Sequence, residues 1–271
     1  MAALNDGLGH VDRGGRNIKL ILEYDGRGYH GWQRQAGSLT IQEVIESRLG
    51  VMFGQRVAVS ASGRTDSGVH AKGQVVNFRT GTKLTVEQIL KGLNSLLPHD
   101  IVVLDAQEAD HSFHSRFSAI SKIYEYHVLN RPVSSALLRN HVWHVRATLA
   151  LSPMRECLGR ICGRNDFSAF MASGSEVSST SRTMLRAELQ QIGPDRLKFT
   201  YEADGFLRHM VRNLTGTIVE VGKGKKTTED FERIIKSRDR RQAGITAPGY
   251  GLYLITVNYG QNGRLSTGGN A

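Results

Sequence analysis

Ile18, Leu20, Leu22 and Tyr24 place an apolar residue at every second position of NIKLILEYDG, a period of two that predicts a strand ending in a Gly-rich turn. The period then changes. Ile41, Val44, Ile45, Leu49 and Met52 recur three and four residues apart, one face of a helix, and Thr40-Ile41-Gln42-Glu43 before them reads as a capping box. Two further runs, VAVSAS and HAKGQVVNF, predict strands. A second box at Thr85-Val86-Glu87-Gln88 opens a helix that runs through Leu97 and is closed by Pro98, and IVVLDAQEA follows as a strand. The order β-α-β-β-α-β is that of a ferredoxin-like unit, with two helices on one face of an antiparallel sheet.

After Phe117 a similar rhythm returns without a sequence repeat. SKIYEYHVLN and HVWHVRA read as strands, Ser152-Pro153 as the opening of a helix, and TMLRAELQQIGPDRLKFTYEAD as a hairpin. Helices are expected around FLRHMVRNLTGTIVEVG and TEDFERIIKSR, and a last strand in GLYLITVNY. The expected fold is therefore α+β, with two ferredoxin-like (RRM-like) half-domains, residues 17–115 and 116–259, whose antiparallel sheets meet around a central basic cleft. Residues 1–16 and 260–271 are Gly-, Asn- and Ser-rich with little to bury, and are expected to be loosely held ends.

Charge adds a partner to this picture. Among 271 residues, 35 Lys and Arg face 25 Asp and Glu, a net charge of +10, and arginine is spread along the chain instead of being gathered in one tail. A polyanion is the expected partner. No apolar run approaches the roughly 20 residues that cross a bilayer, and the opening MAALNDGLGHVDRGG has no apolar signal core, so a cytoplasmic protein is expected. Cys157 and Cys162 stand five apart in a helical stretch and point in different directions, which argues against a disulfide or a cysteine-built zinc site.

Several motifs offer chemistry. Gly26-Arg27-Gly28-Tyr29-His30-Gly31 matches the dinucleotide pattern G-x-G-x-x-G after a strand, but its last glycine is not followed by a helix, because Trp32–Gly37 intervene before the cap at Thr40. What remains is a basic, aromatic loop with Tyr29, Trp32, Arg34 and Gln35 available to RNA. His111, His114, His141 and His144 lack acidic or cysteine partners at zinc-site spacing and read as structural, so no metal is expected. Lys223, Lys225 and Lys226 form a basic turn that either grips phosphate or is a solvated surface. Ser62-Gly63-Arg64-Thr65-Asp66-Ser67-Gly68 has the composition of a tight turn. In a chain that binds a polyanion, however, a carboxylate exposed beside phosphates is repelled unless it has chemical work, which makes Asp66 a candidate nucleophile or base.

The segment GRTDSGVHA resembles the catalytic motif of the TruA family of tRNA pseudouridine synthases. EYDGRGYHGWQRQ, SKIYEYHVLN, DGFLRHMVRNLTGTIVEVG and GLYLITVNY are similar to the corresponding family segments in the same order, from about Asn17 to Tyr259. The resemblance implies isomerisation of uridine to pseudouridine at positions 38, 39 and 40 of the tRNA anticodon stem-loop, with no cofactor, by a homodimer. Asp66 then matches the catalytic aspartate, acting either on C1′ as a nucleophile or on the 2′ proton. Arg212 matches its ion-pair partner, supplied by the second half. Tyr124 matches the tyrosine that stacks on the target base, Arg64 the arginine that displaces the base or holds its phosphate, and Leu252 an apolar pocket residue. Arg34, Lys72, Arg79, Arg116, Arg208 and Arg238 are candidate contacts to the tRNA backbone. Two rival readings are an RNA-binding module without chemistry, which would not need Asp66, and a nicotinamide or flavin enzyme using the glycine motif.

Overall fold

A computed structural model describes residues 15–175 and 177–260. Its elements are β1 (Arg16–Tyr24), α1 (Ile41–Phe53), β2 (Ser60–Ala61), β3 (His70–Thr80), α2 (Val86–Leu96), β4 (Ile101–Ala109), β5 (Ala119–Asn130), β6 (Trp143–Val145), α3 (Leu151–Arg160), β7 (Gly163–Asp166), β8 (Ser181–Gln191), β9 (Arg196–Ala203), α4 (Met210–Gly222), α5 (Thr228–Ser237) and β10 (Leu252–Tyr259).

The strands form one ten-stranded sheet in the order β4-β1-β3-β10-β5-β9-β8-β7, with β2 beside β3 and β6 beside β5. Two sheets are expected from the sequence; the chain instead joins its halves within a single sheet, because β10 returns to lie parallel to the start of β3, Tyr253 opposite His70 and Leu254 opposite Ala71. Every other pairing except β5 with β6 is antiparallel.

The period-two pattern has its cause in one-sided burial. Ile18, Leu20, Leu22 and Tyr24 of β1 are buried, as are Tyr124, Tyr126 and Val128 of β5. Phe78 of β3, opposite Ile18, meets Phe53 at the end of α1, and Tyr201 of β9, opposite Tyr124, shares a hydrogen bond with Thr215 of α4 at 3.0 Å. Helices of both halves thus cover the same face of the sheet. α1 packs on α2, and α3, α4 and α5 pack on one another. Burying each large apolar side chain of this core contributes roughly 1.5–3 kcal/mol.

Local departures from the sequence reading have local reasons. The run VAVSAS pairs only through Ser60 and Ala61, opposite Asn77 and Val76, because the 62–69 loop leaves the sheet before β10 takes over the same edge. HVWHVRA keeps only Trp143–Val145 as strand. Helix α3 is capped by Ala150 without a side-chain bond, and Ser152 and Pro153 lie inside its first turn, where a missing N–H leaves no bond unmade. The box at Thr40 forms by half: Thr40 accepts from Glu43 N, while the Glu43 carboxylate stands 3.6 Å from Arg34. The box at Thr85 is complete. Helix α4 starts at Met210, after a turn whose last residue, His209, has φ 62°. Residues 1–14 and 261–271, expected to be loose ends, lie outside the described residues, and β1 begins at Arg16. Among the described residues no helix is long and apolar enough to cross a membrane. Cys157 is buried, Cys162 is exposed, and both are free thiols.

Candidate active site

The loop between β2 and β3 is a fixed structure. Gln74 of β3 accepts from Ser62 Oγ at 2.7 Å and donates to Gly63 O at 2.9 Å, Tyr24 Oη and Thr65 Oγ1 are 2.8 Å apart, and Trp32 N donates to Thr65 O at 3.0 Å. Two glycines outside the loop let its backbone sit there. Gly31 has φ +89°, and a Cβ on it would lie 2.7 Å from Thr65 O; a Cβ on Gly249 would lie 2.4 Å from Ser67 O. Such close approach needs glycine. The last glycine of GRGYHG therefore packs on the Asp66 loop, and its carbonyl and that of Trp32 accept from the first N–H groups of α1, Ile41 at 3.2 Å and Gln42 at 3.1 Å, so the donors a pyrophosphate would need are already taken.

Arg212 comes from the first turn of α4. Its Nη1 donates to Asp66 Oδ2 at 2.9 Å and its Nε to Ala247 O at 2.8 Å, while Ala247 N donates back to Arg212 O at 3.1 Å. The guanidinium is thereby clamped before it meets the carboxylate. Both side chains are largely buried, Asp66 at 22% and Arg212 at 15% exposure, where a charge pair is screened less than on an open surface. His209 Nε2 stands 3.6 Å from the same carboxylate oxygen. Burial lowers the His209 pKa against the pull of Asp66, and Arg212, Arg208 and Arg240 lower it further, so its ring is neutral at pH 7. A non-glycine residue at φ 62° in direct reach of Asp66 is strain placed at the site. Arg240 holds the surrounding backbone, donating to Gly244 O, Asn213 Oδ1 and Thr246 Oγ1 at 3.0–3.1 Å.

Asp66 opens into a cleft of about 1200 Å³, above the roughly 300–1,000 Å³ of an ordinary small-ligand pocket. Tyr124, buried and edge-on to Phe206 at 5.0 Å, and Leu252 of β10, which pairs with Tyr126 two residues along β5, form an apolar wall. Burial, then the charges of Tyr24 and Asp66, push the Tyr124 phenol well above its ordinary pKa, so it remains neutral. Arg64, Arg116, Lys122 and Arg208 also line the cleft, and none is paired with a carboxylate among the described residues. One carboxylate held by a clamped guanidinium, an apolar wall and several unpaired cations suit a polyanion with one sugar or base brought inside.

The family model described as tRNA pseudouridine synthase matches residues 20–118 and 159–260. The chain belongs to the tRNA pseudouridine synthase family. It is 44% identical over 244 residues to tRNA pseudouridine synthase A of Thermoanaerobacter sp. (strain X514), covering 90% of this chain and 100% of that protein. It is 43% identical over 245 residues to the protein of that name from Acetivibrio thermocellus, covering 90% and 100%. With the Geobacter sp. (strain M21) protein of the same name it shares 44% over 245 residues, covering 90% and 99%.

Within this pseudouridine synthase, the residues expected at the site divide. Asp66, Arg212, Tyr124, Arg64, Leu252, Arg116 and Arg208 all line the one cleft. Arg34 is engaged by Glu43 and Glu46, each at 3.6 Å, and Arg238 by Asp166 at 3.3 Å. Lys72 lies over the ring of Tyr253, on the sheet face away from the helices, and Arg79 donates to His111 O at 2.6 Å. Of the loop residues expected to reach RNA, Tyr29 is buried with its Oη donating to Asp100 at 2.7 Å, while Trp32, also largely buried, and Gln35 line the cleft. Two of the histidines serve the fold, His144 pairing with Arg131 O at 2.8 Å and His141 with Tyr253 Oη at 3.2 Å, whereas His114 lines the cleft. Of the basic turn, Lys223 covers the Trp143 ring and Lys226 stands 3.7 Å from Glu220, whereas Lys225 is exposed. Lys122 and His209 are the site residues that sequence reasoning missed. Lys122 is two residues before Tyr124 on one strand, a spacing that puts both on one face, whereas His209 lies just before the helix that carries Arg212 and reaches Asp66 through its turn at φ 62°.

Proposed function

We propose that this synthase isomerises uridine to pseudouridine in the anticodon stem-loop of tRNA, at positions 38, 39 and 40, with Asp66 acting on the sugar of an everted nucleotide. The observation that carries this reading is the 2.9 Å pair between Asp66 and a clamped Arg212 at the wall of a cationic cleft. A guanidinium at that distance favours the ionised carboxylate, the form needed either to add to C1′ or to take the 2′ proton. The N1–C1′ bond breaks, the ring turns, C5–C1′ forms, and the proton lost from C5 is balanced by the one gained at N1, so the reaction calls for no redox partner. The Tyr124 ring supplies a face for the target base, a contact worth roughly 1–3 kcal/mol that offsets part of the unstacking. Arg64, Arg116 and Arg208 stand where the backbone of such an RNA would pass.

The wider reading is of two ferredoxin-like halves, 17–115 and 116–259, in a cytoplasmic homodimer. The division into halves is supported by the N-terminal strand order β4-β1-β3-β2 with α1 and α2, and by the boundary between β4 and β5. The test is Asp66→Asn, a nearly isosteric loss of charge. Pseudouridine formation in tRNA, mapped position by position, should cease while tRNA affinity is kept; full activity in that variant refutes the catalytic role. Retained affinity without any activity in the unmodified protein would favour the binding-module reading.

A further inference from the structure

Phe117 is the one exposed aromatic side chain among the described residues, at 75%, whereas the other aromatics are buried or half-buried. Its backbone is not mobile surface. The neighbouring Ser115 is buried and fastened three ways: its Oγ donates to Ser60 O at 2.6 Å, its N–H to Asn77 Oδ1 at 2.9 Å, and its carbonyl accepts from Tyr259 Oη at 2.7 Å. Ser118 N donates to His114 O at 2.9 Å, closing the turn. A large apolar ring is thus held out in water by a rigid base, at the rim of the cleft that contains Asp66.

The ring's surroundings select its occupant. The Arg116 guanidinium lies 5.5 Å over it and the His114 ring 4.5 Å away at a 41° tilt. Lys122 enters the same cleft, lying across Gly63, without a carboxylate partner among the described residues. Burial, Arg116 and Arg182 disfavour its charge and outweigh the opposing pull of Asp204, a net positive field that an incoming anion relieves. An aromatic face flanked by unpaired cations is the chemistry that holds a single-stranded nucleotide, base on ring and phosphate on cation. Eversion of the target uridine supplies such a nucleotide, because the base beside it loses a stacking neighbour.

We infer that Phe117, with Arg116 and Lys122, forms a second nucleotide subsite, in which the base adjacent to the target uridine stacks on Phe117 and its phosphate meets the two cations. This rests on the reading of the cleft as the site of uridine isomerisation.

The test uses the full chain and a synthetic anticodon stem-loop RNA carrying 2-aminopurine at each nucleotide flanking the target uridine. Bound to the Asp66→Asn protein, one flanking position should change its fluorescence, and adding Phe117→Ala should abolish the change while Phe117→Tyr keeps it. In the active protein, Phe117→Ala should raise KM for the stem-loop about tenfold to a hundredfold with kcat changed only a few-fold. Lys122→Gln should raise KM and lower the salt slope of binding by about one. An unchanged melting temperature in Phe117→Ala is expected, since the side chain buries little. Unchanged KM and fluorescence in Phe117→Ala overturn the subsite, as does conversion of the protein to a smaller species on sedimentation, which would make this face a contact between copies of the chain. If the unmodified protein makes no pseudouridine but the Phe117-dependent signal persists, the reaction assigned to Asp66 falls and the subsite stands.

Discussion

Arg212→Lys keeps the positive charge and removes the fork. In the structure one guanidinium serves two acceptors from different segments, Asp66 Oδ2 through Nη1 at 2.9 Å and Ala247 O through Nε at 2.8 Å. An ammonium on a flexible stem cannot hold both in that fixed geometry. If lysine reaches Asp66, Ala247 O is left without its donor; Ala247 is fully buried, and an unpaired buried acceptor costs about 1–3 kcal/mol. If lysine stays on Ala247, Asp66 loses a bond to a charged partner, worth about 1.5–3 kcal/mol. Either way about 1–3 kcal/mol of positioning is lost, which at 1.36 kcal/mol per tenfold lowers kcat by roughly 5- to 150-fold.

KM for tRNA should hardly move, because Arg212 is turned toward Asp66 and Ala247. Thermal melting should fall by about 2–8 °C for a stability loss of about 1–2 kcal/mol in a chain of this size. The assay is tritium release from tRNA labelled at C5 of uridine, run at saturating and limiting tRNA, with melting followed by circular dichroism. Asp66→Asn provides the control for turnover, which it should abolish while leaving the Arg212 bond to Ala247 intact; because it breaks the same ion pair, its melting temperature should fall as well. A lysine variant with kcat within twofold of the unmodified protein, or with KM raised and kcat kept, refutes the argument that the clamp acts through the carboxylate.

Gly31→Ala introduces a methyl 2.7 Å from Thr65 O at φ +89°, so the Asp66 loop must shift; kcat should drop at least tenfold and the melting temperature should fall, both checked by the same two assays. Burial lowers the His70 pKa, only partly opposed by Asp25 at 3.1 Å, so as pH falls below about 6.5 the unfolded chain takes up a proton that the folded chain resists, and stability declines. Melting measured from pH 7.5 to pH 5 should show this decline, and His70→Gln should flatten part of it; an unaltered slope in the variant counts against His70 as a source.

What the sequence reveals about this molecule tracks how local each cause is. The box at Thr85 forms in full because both of its bonds lie within four residues, whereas the one at Thr40 forms by half because Arg34, six residues back and in another segment, engages Glu43. The union of the halves is not readable from periodicity, since pairing Leu254 with Ala71 across the length of the chain adds a parallel contact that leaves the alternation of either strand unchanged. The site shows the same division. Turn composition around Asp66 is visible in the sequence, but its partner, 146 residues away, is reached only through resemblance to a family. Tyr29 and Trp32 read as surface aromatics because GRGYHGW is rich in glycine and charge, yet packing against the Asp66 loop buries them, and Phe117, in a segment that the pattern leaves unremarked, is the ring left in water. Lys122 was legible all along: on an alternating strand, whatever face Tyr124 shows to a substrate, Lys122 shows as well.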